Sequence, residues 1–177
     1  LIKEVVEVAE KLGMTGLSFL CGDIAKFEAE KHPDLVVSLH ACDTATDLVL
    51  GKAMQWQSEV ILSTPCCHHE LNHTLDCPEL AMIARHSMLR QKLCDAATDA
   101  MRLLLLEAYG YRTETVELID PQETPKNVML RAVRKRGGEI GIVNETAMEE
   151  YRAAVTFFLR TANEAQERFL ARGDVLK

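Results

Sequence analysis

Two runs, "DLVVSLHAC" at 34–42 and "EVILSTPCC" at 59–67, constrain the fold more than any other feature of the chain. Each is short and almost continuously apolar, without the alternation of a strand that keeps one wet face. Strands apolar on both faces suit the covered middle of a parallel sheet. Parallel neighbours need a crossover between them. Thr44 and Asp47 supply one, as a capping-box pattern opening a helix that runs to about Trp56.

The other elements are placed around that pair. Ile2, Val5, Val6, Ala9 and Leu12 share one helical face, and Gly13 suits a helix stop. "LSFLCGDI" at 17–24 reads as a strand of about five residues. Asp76 and Pro78 open a long helical region reaching Tyr109, broken near His86 and Ser87 and ended by Gly110. "YRTETVELI" and "KNVMLRAV" are two strands joined by "DPQETPKN", a link short enough for an antiparallel hairpin and too short for a parallel crossover. A final helix from Thr146 carries Tyr151, Ala154, Val155, Phe158, Leu159, Ala162 and Phe169 at helical spacing. "RKRGGEIG" is the linker ahead of it. The expected organisation is an α/β domain over 1–136, with helices on both faces of its sheet, and a linker with a helical extension over 137–177.

Composition narrows the class. A chain of 177 residues, 47% hydrophobic, fits one domain with an appendage. Its formal charge of -7 weighs against a large nucleic-acid footprint. No stretch approaches the roughly 18 apolar residues of a membrane span, and the opening residues are charged throughout rather than forming a signal peptide. Six scattered cysteines read as reduced thiols, hence a soluble, cytoplasmic setting. The chain opens inside a running helix, so a preceding segment is expected.

The chemistry-bearing stretch is "LSTPCCHHELNH" at 62–73. In open α/β sheets ligands sit beyond the carboxyl ends of the strands. His40, Ala41, Cys42 and Asp43 leave one strand end; Pro65, Cys66 and Cys67 leave the next. Neighbouring strands about 4.8 Å apart put both sets on one rim. Asp43 and Thr44 are read as caps of the following helix. Three chemistries fit "PCCHH". In an acceptor pocket, small thiols admit a substrate and His68 or His69 orients or deprotonates it. In a zinc site, Cys66, Cys67, His69, His73 and Cys77 supply nitrogen and sulfur. In the third, a cysteine is a covalent nucleophile. Plain packing without chemistry remains beside them. Residues 72–91 are too long for a simple link and read as an insertion over the pocket, a substrate lid. Arg85, His86 and Arg90 are either solvated helix charges or an anchor for an anionic substrate. Asp95 and Asp99 stand at i, i+4 and, with Arg102, read as surface pairs. Leu103 to Leu106 is core. Phe157, Phe158 and Leu159 pack against the domain or a second subunit.

"CGDI", "DLVVSLHACDTATD", "TPCCHHELNH" and "DPQETPKNVMLRAV" resemble the methyltransferase domain of the family that includes the glutathione S-transferase C-terminal-domain-containing protein and its bacterial relatives, over roughly residues 1–134. The resemblance implies a Rossmann-like sheet of order 3-2-1-4-5-7-6, S-adenosylmethionine (SAM) as cofactor and methyl transfer to an acceptor. It implies Asp23 and the Ile24 amide at the adenine, with His40, Ala41 and Cys42 at the reactive end. His40, Cys66, Cys67, His68 and His69 are the catalytic candidates; the resemblance places Lys126 and Asn127 at the acceptor, and Arg90 joins them from its positive cluster. No metal belongs to that site. The family's glycine-rich first strand and acidic second strand have no counterpart in these residues, so weak SAM binding by this chain alone is expected. The acceptor is left open among a small molecule, a protein side chain and RNA. RNA enters by analogy alone. The rival class is a non-catalytic interaction domain built on the zinc set, and self-association through the last helix is a further expectation.

Overall fold

The computed structural model describes residues 2–39, 41–118, 127–135, 142–160 and 164–174. The two apolar runs form β1 (Leu35–Leu39) and β2 (Val60–Thr64), parallel and in register from Leu35 with Val60 to Leu39 with Thr64. α2 (Thr44–Gln55) is their crossover. The hairpin strands are β3 (Tyr111–Glu117) and β4 (Val128–Arg134), antiparallel as the short link requires. β4 inserts beside β2 and gives a mixed four-stranded sheet of order β1-β2-β4-β3.

Helices cover one face of this sheet. α5 (Ser87–Ala108) lies along β3 and β4, and α2 lies on β1 and β2. The face beneath them carries Ile61, Leu130, Ala132 and Tyr111, all 1% exposed. Tyr111 donates its hydroxyl to the Ser58 carbonyl at 2.9 Å, so its polar end is satisfied where its ring is buried. The C-terminal region joins the same core. α6 (Glu145–Phe158) packs on α5, and α7 (Glu164–Ala171) folds back on α6. Met148, Tyr151, Val155, Leu159 and Phe169 complete the cluster around Met101 and Leu106.

Four expectations are corrected. "LSFLCGDI" makes no strand: residues 17–23 are irregular, with Leu17, Phe19 and Leu20 exposed, and only a single 3₁₀ turn follows at Ile24–Lys26. A strand needs a neighbour for its ladder of hydrogen bonds, and the described residues give this segment none. Among the described residues no second helix layer covers the other face of the sheet. α1 (Ile2–Lys11) leaves Val5 and Val8 exposed, and Leu35, Val37 and Leu39 of β1 are 51%, 49% and 66% exposed. β1 is thus an edge strand covered on one side, not a covered central one. The final helix is two helices, because Leu159 leaves the helical path to bridge Asp76. A short helix, α3 (His69–Thr74), precedes the long helical region, which runs as a turn at Pro78–Leu80 and α4 (Ala81–Ala84) and breaks ahead of Ser87 as expected, where α5 begins. Most of the linker 134–141 falls outside the described residues.

The fourth correction concerns Arg102, which is 4% exposed and not on the surface. Its guanidinium donates to Asp47 on α2 at 2.8 and 3.2 Å, to Asp99 at 3.0 Å and to the Asp43 carbonyl at 2.9 Å. Burial works to lower its pKa, and the carboxylates of Asp47 and Asp99 more than offset that, so the group stays charged. Removing one side of a buried pair strands the other charge. Arg102→Met is therefore expected to lower the unfolding free energy by about 3–5 kcal/mol. Arg131→Met, which breaks the exposed pair with Glu114, costs less than about 1 kcal/mol. Urea denaturation of both variants checks the contrast.

Candidate functional site

The site is built where β1 and β2 end. Asp43, just past β1, has φ 53°, a left-handed backbone that a non-glycine residue adopts at a cost of about 1–3 kcal/mol. The surrounding bonds hold it there. Its carboxylate accepts the Glu70 N–H at 3.1 and 3.2 Å, and the Arg102 guanidinium holds its carbonyl. Asp43 therefore does not cap α2, as its position before Thr44 led us to expect; it ties the β1 tip to the start of α3. Thr46 secures the same turn by donating its hydroxyl to the Ala41 carbonyl at 2.5 Å.

This arrangement gathers three thiols. Cys42 Sγ lies 3.2 Å from Cys66 Sγ, and Cys66 Sγ lies 3.5 Å from Cys67 Sγ. Hydrogen bonds from the Cys66 and Cys67 thiols lower the Cys42 pKa by favouring its thiolate. The Cys67 thiol, committed to Cys42 and partly desolvated, is pushed up to about 12. Of the two, Cys42 rather than Cys67 is the sulfur poised as a nucleophile.

The two histidines part company. His69 is exposed on α3 and stacks on His73, ring centroids 6.3 Å apart. His68 is 2% exposed. Its Nε2 lies 2.8 Å from Asp99 Oδ1, and its Nδ1 lies 3.1 Å from Asp95 Oδ1, out of line for a hydrogen bond. Asp99 in turn holds Arg102. The result is a largely buried row of facing groups, Arg102–Asp99–His68–Asp95. It ends at the more accessible carboxylate, Asp95, whose side chain is 21% exposed against 13% for Asp99. All three acid and imidazole groups line a cavity of about 460 Å³, with Pro65, Lys92, Thr115 and Val128 among its other walls.

The remaining candidates are distributed as follows. Arg90 donates to the Asn72 carbonyl at 2.6 and 2.9 Å, so it fastens α3 to α5. Arg85 and His86 are exposed and face each other at 3.2 Å. Asn127 is buried, with its side-chain oxygen accepting the Leu118 N–H at 3.1 Å, and so closes the hairpin ladder. Asp23 is exposed and accepts the Ala25 N–H at 3.0 Å, capping the turn that begins with Ile24. His40 and Lys126 lie outside the described residues. The zinc set is not brought together: Cys77 is buried with its thiol toward Glu79 at 3.5 Å. Among the described residues, the group whose ligand atoms converge is Cys42, Cys66 and Cys67.

A methyltransferase-domain family matches residues 1–74, fewer than half of the chain's 177. The match supports a methyltransferase domain. It spans α1, β1, α2, β2 and α3, and so contains both thiol-bearing strand tips and His68. No curated protein and no solved structure matches the chain. No helix among the described residues is long and apolar enough to cross a membrane.

Sequence reasoning missed Asp95 and Asp99 as parts of the site. One signal was available. Arg102 stands between Met101 and the Leu103–Leu106 run, and Asp99, one turn earlier on the same helix face, is a suitable partner for a buried guanidinium. The cysteine geometry gives a pH prediction. A lowered pKa means thiolate at lower pH, so Cys42 is expected to react with iodoacetamide below the range of an ordinary thiol, about 8.5. Cys67 reacts only in strong alkali. In the Cys66→Ala, Cys67→Ala double variant the Cys42 profile moves up, as mass spectrometry of alkylation against pH would record.

Proposed function

We propose that this chain forms the acceptor-side part of a SAM-dependent methyltransferase, with Asp95 receiving the proton that the acceptor loses. The single observation that carries the reading is the Asp95 carboxylate at an open-mouthed cavity beside the β2 tip, backed by His68, Asp99 and Arg102. The family match over 1–74 supports methyl transfer in general. The order β1-β2-β4-β3 agrees with the 4-5-7-6 half of the sheet that the resemblance implies.

The residues fit one end of the cofactor. Asp23 and the Ile24 amide are exposed or half-buried and can take the adenine edge. Among the described residues no glycine-rich turn cradles the methionine portion, and neither Asp23, Ile24, Ala41 nor Cys42 lines the 460 Å³ cavity. The cofactor would supply an activated methyl carbon. What this chain supplies is alignment and proton removal, which is most of what such a displacement asks of a protein. Asp99 fixes the His68 ring through Nε2, which leaves Nδ1 3.1 Å from the Asp95 carboxylate. Gln91 donates to that carboxylate at 2.5 Å and steadies it at the cavity wall.

The cavity's size lies within the roughly 300–1,000 Å³ of small-molecule sites, and the acidic chain disfavours a long nucleic acid. A small acceptor carrying an O–H or N–H is the reading adopted. The zinc alternative lacks a converging ligand set and is set aside. Cys66 and Cys67 lie between two residues of the cavity wall, Pro65 and His68, without lining the cavity themselves, and no covalent step is assigned to them.

The test has two arms. S-adenosylhomocysteine is titrated calorimetrically into the protein, lengthened by any residues its gene encodes ahead of Leu1. Saturable heat is expected; silence at millimolar ligand overturns the reading. Asp95→Asn is expected to keep that heat while lowering transfer of labelled methyl to a small-molecule pool by roughly 10²- to 10⁴-fold, the usual worth of a general base. Undiminished transfer would remove Asp95 from the role.

A further inference from the structure

We propose that Cys42, Cys66 and Cys67 form a three-sulfur site for a soft d¹⁰ metal ion, with Cu(I) as its preferred occupant. The proposal stands independently of methyl transfer. Two separate strand tips deliver the sulfurs, and the parallel register of Leu39 with Thr64 brings those tips level. The Sγ atoms are 3.2 and 3.5 Å apart along the row, and all lie within 4.8 Å of one another.

That spacing decides among the uses of a cysteine cluster. Three thiolates around one ion at about 2.3 Å stand about 4 Å from each other, inside the range these sulfurs span. Rotation of side chains is enough to centre an ion. Bonded sulfurs stand at about 2.05 Å, so a disulfide needs a larger approach. Adjacent cysteines seldom turn both sulfurs to one point. Here they do, just past β2 and a buried Pro65.

The donor set selects the metal. Soft thiolates favour Cu(I) and Zn(II) over magnesium, calcium or manganese. Structural zinc takes four ligands, and among the described residues no imidazole or carboxylate joins the three sulfurs. A trigonal all-sulfur site leaves Cu(I) satisfied and zinc short of one ligand. Cys42 is exposed and its two partners half-buried, so an ion can enter from solvent. Binding one Cu(I) forms three Cu–S bonds and releases to solvent whatever protons the thiols still carry, with no change of oxidation state.

The experiment is an anaerobic competition of the reduced protein against a chromogenic Cu(I) chelator, with native mass spectrometry for stoichiometry. One Cu(I) per chain is expected. Cys42→Ser, Cys66→Ser and Cys67→Ser should each weaken it by more than the roughly 10- to 100-fold that loss of an outer partner costs. Cys21→Ser, at an exposed cysteine outside the cluster, should leave it unchanged. Circular dichroism confirms that each variant folds; Cys42, being exposed, is the safest of the three. Copper that all three variants retain, copper beyond one equivalent with no tight first site, or zinc that Cu(I) fails to displace would overturn the proposal.

Discussion

A single buried guanidinium holds the functional end of this molecule in shape. Arg102 reaches from α5 to Asp47 on α2 and to the carbonyl of Asp43 at the β1 tip, and it shares Asp99 with His68. Desolvating such a charge costs several kcal/mol, and two carboxylates and a carbonyl compensate for it. The geometry they impose extends outward. Asp43 is held in its left-handed backbone, which presents its carboxylate to Glu70. Glu70 in turn accepts Arg168 and Arg172 from the C-terminal segment. The rim is thus braced by ion pairs on the helix-covered side of the sheet.

The opposite side is organised differently. β1 carries apolar residues on a face that no described element covers, and residues 17–23, which repeat the composition of a strand, stay irregular. Both facts have one cause. A parallel strand gains its hydrogen bonds only from neighbours that arrive by long crossovers, so a segment can have every local attribute of a strand and still not become one. The site survives this because its parts hang from β1, β2 and α5, which lie on the covered half.

The rim separates two chemistries that the sequence runs together in "PCCHH". The thiols turn toward β1 and join Cys42; His68 turns the other way, under α5, and joins two acids. His69, next in sequence, does neither and lies in the open on α3. Lowered Cys42 and raised Cys67 are consequences of the same crowding: one sulfur takes the hydrogen bonds the others give.

Much was legible from residues alone. Apolar runs of strand length gave β1 and β2, the eight-residue link required β3 and β4 to be antiparallel, and the two strand tips carrying cysteines had to share a rim because parallel strands end together. These are local or nearest-neighbour constraints, and periodicity and chain length carry them. Tertiary structure alone decided the rest. It buried His68 between Asp95 and Asp99, which stand 27 and 31 positions further along, brought Cys42 to Cys66 across 24, and left 17–23 without a strand partner among the described residues. Those outcomes depend on which distant surfaces meet and on how buried charges are compensated, and neither is written in the spacing of any one segment.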